Sequence, residues 1–354
     1  MSTSHGAATG DGSTPFIEVQ NLVKRFSTRG GLLGSLSGGA EAVRAVNDVS
    51  FSIRRGEVIG IAGESGCGKT TTAKLLLKLH DASSGRILID GVDIAGLKGA
   101  DLKQFRRRAQ LMFQNPYESL NPRFTIERTL REPLIIHDVG DEAEKSERVR
   151  KALHDVHLRP VENFLGKFPH QLSGGQLQRV VLARAMMLEP DFLVADEPVS
   201  MLDVSIRAGV LNTMKELCRE RNLTVVYISH DLSLIQYLCD TTAIMYLGSL
   251  VEIGPTRKVI QSPQHPYTQA LIATIPVPEP GAAAKEIPIK GGIPSAIKIP
   301  GGCPFHPRCP HAMEICAREM PGPTVVEGVT VRCHLHLTPV GGAAGAPAAA
   351  NGGR

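Results

Sequence analysis

Short apolar runs recur along most of this chain, and segments with helical periodicity separate them. Residues 58–62 and 192–195 are continuously apolar, which predicts strands that are buried on both faces. Residues 16–20 alternate apolar and polar side chains and predict a half-buried first strand. Further strands are predicted at residues 43–53, 86–89, 224–228, 242–246 and 250–253.

Helices are predicted between these strands. They cover residues 71–79, 177–188 and 267–274, one follows Asp203, and one begins at Leu232. Strands and helices that alternate in this way are typical of an α/β fold with a mostly parallel sheet. Residues 125–158 are helical in character and interrupt the alternation, so about residues 115–185 are predicted to form a helical subdomain inserted into the α/β core.

The two ends of the chain differ in composition from its middle. Residues 1–15 are small and polar and predict a disordered lead, and residues 16–275 are predicted to form the α/β domain. Within that domain, residues 27–39 are rich in Gly, Ser and Leu and predict a loop insertion. The remaining predicted divisions are a Pro- and Gly-rich linker at residues 276–302, a cysteine module at 303–338 and a flexible tail at 339–354.

Composition and charge narrow the classes of function. A hydrophobic content of 42% and a charged content of 21% are ordinary for a globular protein. No run reaches the ~18 apolar residues of a membrane span, and the first residues lack the apolar core of a signal peptide. The net charge of +4 is too small to indicate nucleic-acid binding, and residues 103–108 are interpreted as a solvated basic helix face. We therefore expect a cytosolic protein that reaches a membrane only through partners.

Residues 63–71 carry the strongest chemical signal. They fit the pattern Gly, four residues, Gly-Lys-[Ser/Thr], between a predicted strand and a predicted helix, which describes a phosphate-binding loop. Backbone N–H groups must approach the phosphates, which requires small residues. Lys69 is expected to reach the β/γ oxygens, and the Thr70 hydroxyl to ligate Mg²⁺. The predicted nucleotide-binding residues are Gly63, Glu64, Ser65, Gly66, Cys67, Gly68, Lys69, Thr70 and Thr71.

Two carboxylates follow the apolar run at residues 192–195, namely Asp196 and Glu197. Open α/β sheets place their ligands at the carboxyl ends of the strands. We expect Asp196 to hold Mg²⁺, directly or through water, and Glu197 to orient and polarise the attacking water.

A second Gly-rich helix start precedes the predicted helix at residues 177–188. It consists of Leu172, Ser173, Gly174, Gly175 and Gln176. Such a start presents N–H groups and a hydroxyl to an anion. One nucleotide does not need two cradles in one chain, so we expect this cradle to dock on ATP held by a neighbouring subunit.

At these residues the chain resembles the ABC-transporter ATPases. Residues 63–70 match the Walker A loop, residues 192–196 the Walker B strand, and residues 172–176 the family signature. The resemblance covers about residues 16–275 and implies a P-loop NTPase cassette that binds ATP and Mg²⁺. That fold joins a RecA-like, mostly parallel sheet to an antiparallel β portion and an inserted helical subdomain.

The resemblance also implies roles for residues that no local pattern identifies. Gln114 matches the Q-loop glutamine, which acts in catalysis and at Mg²⁺, and His230 matches the switch histidine near the γ-phosphate. Residues 200–203 match the loop that crosses the dimer interface, which makes Asp203 a residue that acts in trans. Phe26 lies where the family carries an aromatic that stacks on adenine.

Five segments look more specifically like the oligopeptide/dipeptide importer branch. Met201, where that branch usually carries alanine, and Leu177, where arginine is common, depart from its pattern without removing a ligand. The segments are residues 113–123, 197–200, 245–248, 265–268 and 303–309.

Four of the seven cysteines cluster near the end of the chain, at Cys303, Cys309, Cys316 and Cys333. In a reducing cytosol such a cluster indicates a metal site rather than a disulfide framework, and metal binding would stabilise a piece with little apolar core. Zinc usually takes tighter Cys-x₂-Cys pairs, so the loose spacing favours a [4Fe–4S] cluster. Resemblance to the peptide-importer branch points the same way. Zinc, and unligated or disulfide-bonded cysteines, stay open as alternatives.

The resemblance implies an ATPase subunit that energises import of dipeptides or oligopeptides from the cytoplasmic face of the membrane. Its expected partners are a second, related ABC ATPase, two transmembrane permeases and an extracytoplasmic substrate-binding protein. A heterodimer of ATPases is favoured over a homodimer. The alternative is a soluble ABC ATPase of iron–sulfur cluster assembly, which the cysteines suggest. A GTP switch is excluded because the chain has no Asn-Lys-x-Asp guanine reader.

Overall fold

The structure is a computed structural model that describes residues 14–27, 42–274, 289, 291–292 and 294–337. The predicted lead, loop insertion, linker and tail lie largely outside these described residues. The strands are β1 Ile17–Ser27, β2 Ala42–Ile53, β3 Val58–Ala62, β4 Ser84–Ile89, β5 Val92–Asp93, β6 Ala109–Met112, β7 Phe192–Asp196, β8 Thr224–Ile228, β9 Thr241–Tyr246, β10 Ser249–Pro255, β11 Thr324–Val326 and β12 Val329–Val331.

Helices separate most of these strands. They are α1 Lys69–Leu76, α2 Gly99–Arg108, α3 Pro116–Ser119, α4 Ile126–Ile136, α5 Glu142–Asp155, α6 Glu162–Leu165, α7 Gly174–Met186, α8 Val204–Glu220, α9 Leu232–Leu238, α10 Thr256–Gln261, α11 Pro266–Ala273 and α12 Glu314–Arg318. Within the described ranges, none of them has the length and apolar character needed to cross a bilayer.

The larger sheet has the strand order β11-β12-β10-β9-β3-β8-β7-β6. Its strands from β6 through β7, β8 and β3 to β9 are all parallel. Every residue of β3 and of β8 is buried, as expected for central strands that helices cover on both faces. The antiparallel strands β10, β12 and β11 extend this parallel core at one side.

Backbone hydrogen bonds tie the residues that follow β7 and β8 to the carboxyl ends of β8 and β3. The Glu197 N–H donates to the carbonyl of Ile228 at 2.9 Å, and the Ser229 N–H donates to the carbonyl of Ile61 at 3.2 Å. The carboxyl ends of the three parallel strands therefore meet, which is where open α/β sheets bind their ligands.

A smaller antiparallel sheet has the order β2-β1-β4-β5. Its strand β1 runs to Ser27, seven residues beyond the predicted end at residue 20, because β2 pairs with it along its whole length. The side chains of Ile17, Leu22 and Ile53 are fully buried beneath this sheet.

The region between β6 and β7 is helical, from α3 through α7. Two of its helices start at strong N-caps: the Thr125 hydroxyl accepts the Arg128 N–H in α4, and Asp141 and Glu144 form a capping box in α5. Buried leucines, isoleucines and valines pack α4, α5 and α7 together in the larger core. The exact limits of the predicted subdomain stay a prediction.

The cysteine-rich segment joins the larger sheet instead of standing apart from it. Its strand β12 pairs with β10, placing Val331 opposite Glu252, and Phe305 is fully buried in the larger core. The linker and module boundaries at residues 276–302 and 303–338 stay predictions.

Candidate nucleotide site

The loop between β3 and α1 has a backbone that requires glycine. Gly63 has φ +149° and Gly68 has φ +105°, and a Cβ at these positions would lie 2.2 Å from the Met245 carbonyl oxygen and 2.1 Å from that of Ala45. Gly66, with φ +76°, faces open space. Two glycines thus allow close backbone packing, and the third leaves room for a ligand above the loop.

Lys69 places its charge at the centre of this loop. The residue is only 6% exposed, and its Nζ donates to the carbonyl oxygens of Gly63 at 2.8 Å and Glu64 at 3.0 Å. Cys67 lies beside it, with Sγ 3.8 Å from Nζ, and burial raises the pKa of this thiol. Gly68 is the N-cap of α1 and has no side chain to satisfy the first N–H groups of the helix, which stay available to an anion.

The predicted Mg²⁺ ligands Thr70 and Asp196 lie side by side. The pKa of Asp196 is raised by burial, a hydrogen bond from the Thr70 side chain opposes the shift, and the charge of Glu197 adds to it. A hydroxyl and a partly desolvated carboxylate at a strand end are suitable ligands for Mg²⁺. Ser65 and Thr70 are exposed, Thr71 is half-buried, and a nucleotide can reach the first two directly.

The three predicted catalytic side chains lie together, with Glu197 between the other two. One carboxylate oxygen of Glu197 lies 3.0 Å from Nε2 of Gln114, and the other lies 3.0 Å from Nδ1 of His230. Glu197 itself adopts a left-handed backbone conformation, with φ +47°, immediately after β7. The Ser200 hydroxyl donates to its carbonyl oxygen at 3.0 Å. The structure therefore brings these residues together, and their catalytic roles stay predictions.

The predicted signature residues form the start of α7. Ser173 is its N-cap, and Ser173 and Gln176 form a reciprocal capping box with bonds of 3.4 and 3.1 Å. A Cβ on Gly175 would lie 2.3 Å from Cγ2 of Ile206 in α8, whereas one on Gly174 would meet only Leu202 at 3.2 Å. The second glycine is thus required for packing within the chain, whatever it contacts in a partner.

Asp203 occupies the N-cap position of α8, but its side chain makes no capping hydrogen bond. The side chains around it are unusually exposed for apolar residues: Met201 is 61% exposed and Val204 is 79% exposed. An uncapped carboxylate between exposed apolar side chains is a suitable contact surface for another molecule.

Phe26 lies near the end of β1, where it packs edge-on against His80 with ring centroids 5.5 Å apart. It is 36% exposed, and the Lys24 ammonium lies 5.0 Å from its ring centroid. The ring is accessible, and adenine stacking at Phe26 stays a prediction.

The four clustered cysteines line one small cavity of about 10 Å³ together with His306, His311 and His334. Burial, with the nearby thiols adding to it, raises the pKa of Cys303 and of Cys333 to about 11. Among the described residues, however, no three His, Cys, Asp or Glu side chains are arranged as a metal-ligand set. Thiols are the donor type that zinc and iron–sulfur clusters take, and a metal at these cysteines stays a prediction.

The sequence shows no sign of two contacts that reach the phosphate loop from distant segments, or of a third that supports one of them. Arg308 forms an ion pair with Glu64, the Tyr267 hydroxyl accepts the Glu64 N–H, and Tyr246 contacts Arg308. These residues occur in the segments that resemble the importer branch, but no local pattern links them to the nucleotide site.

Two protein families match the chain. The family described as ABC transporter matches residues 46–200, and the family described as oligopeptide/dipeptide transporter, C-terminal region, matches residues 251–316. The first match includes the phosphate loop, the signature and the β7 carboxylates. The second includes the first three clustered cysteines.

Several curated proteins are similar over nearly the whole chain. A putative peptide import ATP-binding protein of Brucella ovis is 44% identical over 308 residues, which cover 87% of this chain and 93% of that protein. The oligopeptide transport ATP-binding protein AppF of Bacillus subtilis is 42% identical, covering 90% of this chain and 97% of that protein. The di/tripeptide transport ATP-binding protein DppF of Pseudomonas aeruginosa is 41% identical with the same coverage of both.

Solved structures share the fold. The dimeric ATP-binding cassette MJ0796, in a post-hydrolysis state bound to ADP and Pi, is 28% identical with a TM-score of 0.59, and the match covers 68% of this chain and 99% of that one. CbiO1 of Clostridium perfringens is 25% identical with a TM-score of 0.61, covering 71% of this chain and 92% of that one. These similarities confirm the predicted fold class.

Proposed function

The chain belongs to the peptide-import ATP-binding proteins of the ABC transporter family, and from this premise we propose that it hydrolyses ATP to drive import of dipeptides or oligopeptides. One observation carries the catalytic part of the proposal. Glu197 lies between Gln114 and His230 at the edge of the sheet where β3 leads into the phosphate loop. The relatives that span nearly the whole chain support the transport part.

We propose the following chemistry for the site. The loop N–H groups and Lys69 would hold the phosphates, and Thr70, Gln114 and Asp196 would hold Mg²⁺, which would supply positive charge against the phosphates. Glu197 accepts a proton from water as the water oxygen attacks the γ-phosphorus, and the bond to the leaving ADP oxygen breaks.

His230 Nδ1 would donate to the ionised Glu197 carboxylate and so help to hold it in one orientation. The exposed His230 side chain, at 63%, is also free to contact the transferred phosphate.

Two ATPase subunits are proposed to enclose two nucleotides. Residues Leu172–Gln176 of each chain would face the phosphate loop of the other, and the exposed Met201 and Val204 would be covered in that contact. MJ0796, which shares the fold, is dimeric. The second subunit is proposed to be a related, non-identical ATPase.

A groove beside Gln114 is the proposed contact for a permease segment. It is a cavity of about 240 Å³ between the helical region and the sheet, with both apolar and basic lining. Phe113, which precedes Gln114, and Ile136 both line this groove and are 45% and 55% exposed. A segment docked here would move with Gln114, which links transport to the nucleotide site. Through this contact the chain is proposed to lie at the cytoplasmic face of the membrane.

We further propose that Cys303, Cys309, Cys316 and Cys333 hold a [4Fe–4S] cluster. The support is that the four thiols line one small cavity, which histidines also line, and zinc is the alternative. Anaerobically purified protein should contain about four iron and four sulfide per chain. Stoichiometric zinc without iron would establish the alternative, and Cys316→Ser should lose whichever metal is present.

The transport proposal is tested with the complete complex. The chain, its permeases and its partner ATPase are reconstituted into proteoliposomes, and ATP hydrolysis is measured with the substrate-binding protein, with and without peptides. Hydrolysis that rises when the binding protein carries a peptide, and peptide uptake that requires ATP, would support it. Copurification with a soluble iron–sulfur scaffold instead of permeases would favour the assembly ATPase over transport.

A further inference from the structure

An ion pair joins the phosphate loop to the cysteine-rich segment across 244 positions of sequence. Nη1 and Nη2 of Arg308 lie 2.9 and 3.1 Å from the two carboxylate oxygens of Glu64. The Arg308 side chain is 8% exposed and that of Glu64 is 24% exposed. Parallel, two-point pairing of this kind fixes the relative orientation of its partners, and partial burial limits competition from water.

Glu64 is held at each of its polar groups. Its N–H donates to the Tyr267 hydroxyl at 2.9 Å, its carbonyl oxygen accepts from Lys69, and its carboxylate binds Arg308. Nη1 of Arg308 also donates to the Tyr246 hydroxyl at 3.3 Å. The conformation of the first turn of the phosphate loop therefore depends on side chains outside the loop.

The cysteine-rich segment sets the position of the Arg308 guanidinium. Arg308 ends a short turn in which its N–H donates to the carbonyl of Phe305 at 2.9 Å, and Cys309 follows directly. The fully buried Phe305 ring packs against Tyr246 and Tyr267, with centroids 5.3 and 5.4 Å away. A disturbance of this turn would thus displace the guanidinium from the loop.

We propose that Arg308 is a positioning residue for nucleotide binding, which acts by holding Glu64 and so couples the order of the cysteine-rich segment to the phosphate loop. The proposal rests on the proposed ATP-binding function. Arg308 keeps the N–H groups of the loop and the Lys69 ammonium in the geometry that phosphates require. By linkage, nucleotide in the loop in turn stabilises the turn around Arg308.

A second ion pair provides a matched control. Arg332, from the same segment, binds Asp48 at 2.9 Å and so anchors the segment to the smaller sheet without touching the phosphate loop. Asp48→Asn should weaken the attachment of the cysteine-rich segment to the smaller sheet. Glu64→Gln and Arg308→Lys should weaken its attachment to the phosphate loop. Loss of general stability would affect all three variants alike.

The first measurement is the dissociation constant of a fluorescent ADP analogue for the full chain, together with kcat and KM for ATP in the reconstituted complex. We expect Glu64→Gln and Arg308→Lys to bind ADP roughly tenfold more weakly and to raise KM more than they lower kcat. Asp48→Asn should bind within about twofold of the wild type. The Glu64→Gln/Arg308→Lys double variant should bind ADP no more weakly than the worse single variant, because the two side chains act as one unit.

The second measurement is amide hydrogen exchange of the segment around residues 303–309. In the wild type and in Asp48→Asn, added ADP should slow amide exchange at these residues. In Glu64→Gln, added ADP should leave the exchange rate unchanged, even if the rate without nucleotide differs from that of the wild type. A residue that only stabilised the fold would change the basal rate and leave the response to ADP intact.

Three results would overturn the proposal. The first is that Glu64→Gln and Arg308→Lys both bind ADP as tightly as the wild type. The second is that Asp48→Asn loses as much ADP affinity as they do. The third is that hydrogen exchange at residues 303–309 of the wild type does not change when ADP is added. If the wild type binds no nucleotide at all, the proposed function fails as well. If the wild type binds ADP and the variants bind it equally well, only the role proposed for Arg308 fails.

Discussion

At the scale of single residues, the site depends on contacts that desolvate and orient one carboxylate. Glu197 is 18% exposed at its side chain, accepts from Gln114 at 3.0 Å, and lies 3.0 Å from a ring nitrogen of His230. A carboxylate held at both oxygens is oriented before any substrate arrives, which is the arrangement that a general base needs.

Glu197→Gln should reduce steady-state ATP hydrolysis by about 10²–10⁴-fold, the usual contribution of a general base. The amide keeps the size of the side chain but cannot accept a proton, so ATP binding should persist within about threefold. The measurements are phosphate release and ATP affinity. Hydrolysis at the wild-type rate would show that another group takes the proton.

His265 makes stability depend on pH. Its Nδ1 accepts the Tyr267 N–H at 3.0 Å, and its Nε2 is buried without a hydrogen-bond partner among the described residues. Burial, with the charge of His336 adding to it, lowers the pKa of His265 to about 3. The folded state therefore binds fewer protons than the unfolded state between pH 6.5 and pH 3, and this contribution to stability is lost as pH falls through that window.

The wild type should accordingly lose about 1–2 kcal/mol more unfolding free energy than His265→Asn between pH 6.5 and pH 5. Asparagine retains an oxygen that can accept the Tyr267 N–H, but it does not titrate. Urea unfolding at the two pH values measures the difference. Parallel losses in both proteins would mean that folding does not lower the pKa of His265.

At the scale of secondary-structure elements, the contact between α7 and α8 explains the glycine pair of the signature. Gly175 lies against Ile206 of α8. Ile206 is β-branched, and a helix allows such a side chain few χ1 rotamers, so its Cγ2 cannot easily turn away. Gly174 faces the flexible end of Leu202 instead. The two glycines should thus differ in how well they tolerate an added methyl group.

Gly175→Ala should reduce the free energy of unfolding by about 1–3 kcal/mol, and Gly174→Ala by less than about 1 kcal/mol. Adding Ile206→Ala to Gly175→Ala should recover part of the loss by removing the clashing methyl. Chemical unfolding measures all three. Equal effects of the two glycine substitutions would show that packing on α8 does not distinguish them.

Buried elements were predictable from sequence wherever local pattern and burial agree. The apolar run at residues 224–228 is strand β8 with those bounds, and β3 likewise has its predicted bounds. Strand β6 was missed because it follows α2 without a turn signal and only two of its four residues are buried. The pairing of β12 with β10 was also missed, because it joins residues nearly 80 positions apart.

The residues of the candidate site also differ in how far the sequence could predict them. The phosphate loop, the signature and the β7 carboxylates are contiguous, so their local chemistry could be recognised. Gln114 and His230 came only from a family resemblance, since no pattern shows that either lies near Glu197. The contact between Glu64 and Arg308 gives no sequence signal because it depends on how the last strands fold back onto the core.

At the scale of the whole molecule, two of the most exposed apolar side chains among the described residues lie at or just before the start of α8, beside the signature helix. Val204 is 79% exposed and Met201 is 61% exposed in the single chain. Burying them against a second ATPase would remove apolar area from water, and a charge placed there would be left without a partner in the dimer.

Val204→Asp should therefore lower ATP hydrolysis of the assembled complex at least about tenfold, while nucleotide binding and unfolding free energy change little. Val92→Asp is the control, because Val92 is a valine 54% exposed in the smaller sheet. Light scattering of the Glu197→Gln protein with ATP and its partner reports the dimer. Full activity in Val204→Asp would place the subunit contact elsewhere.

The pairing of β12 with β10 also determines how short the protein can be made. Without the last strands, the hydrogen-bonding edge of β10 would lie open, and open edges recruit strands from other molecules. A chain ending at Thr274 should thus form oligomers of mixed size in size-exclusion chromatography, even though it retains every residue predicted to touch ATP. The C-terminal hairpin would then serve as a guard against aggregation, and a minimal ATPase would need either that hairpin or charges engineered onto the β10 edge.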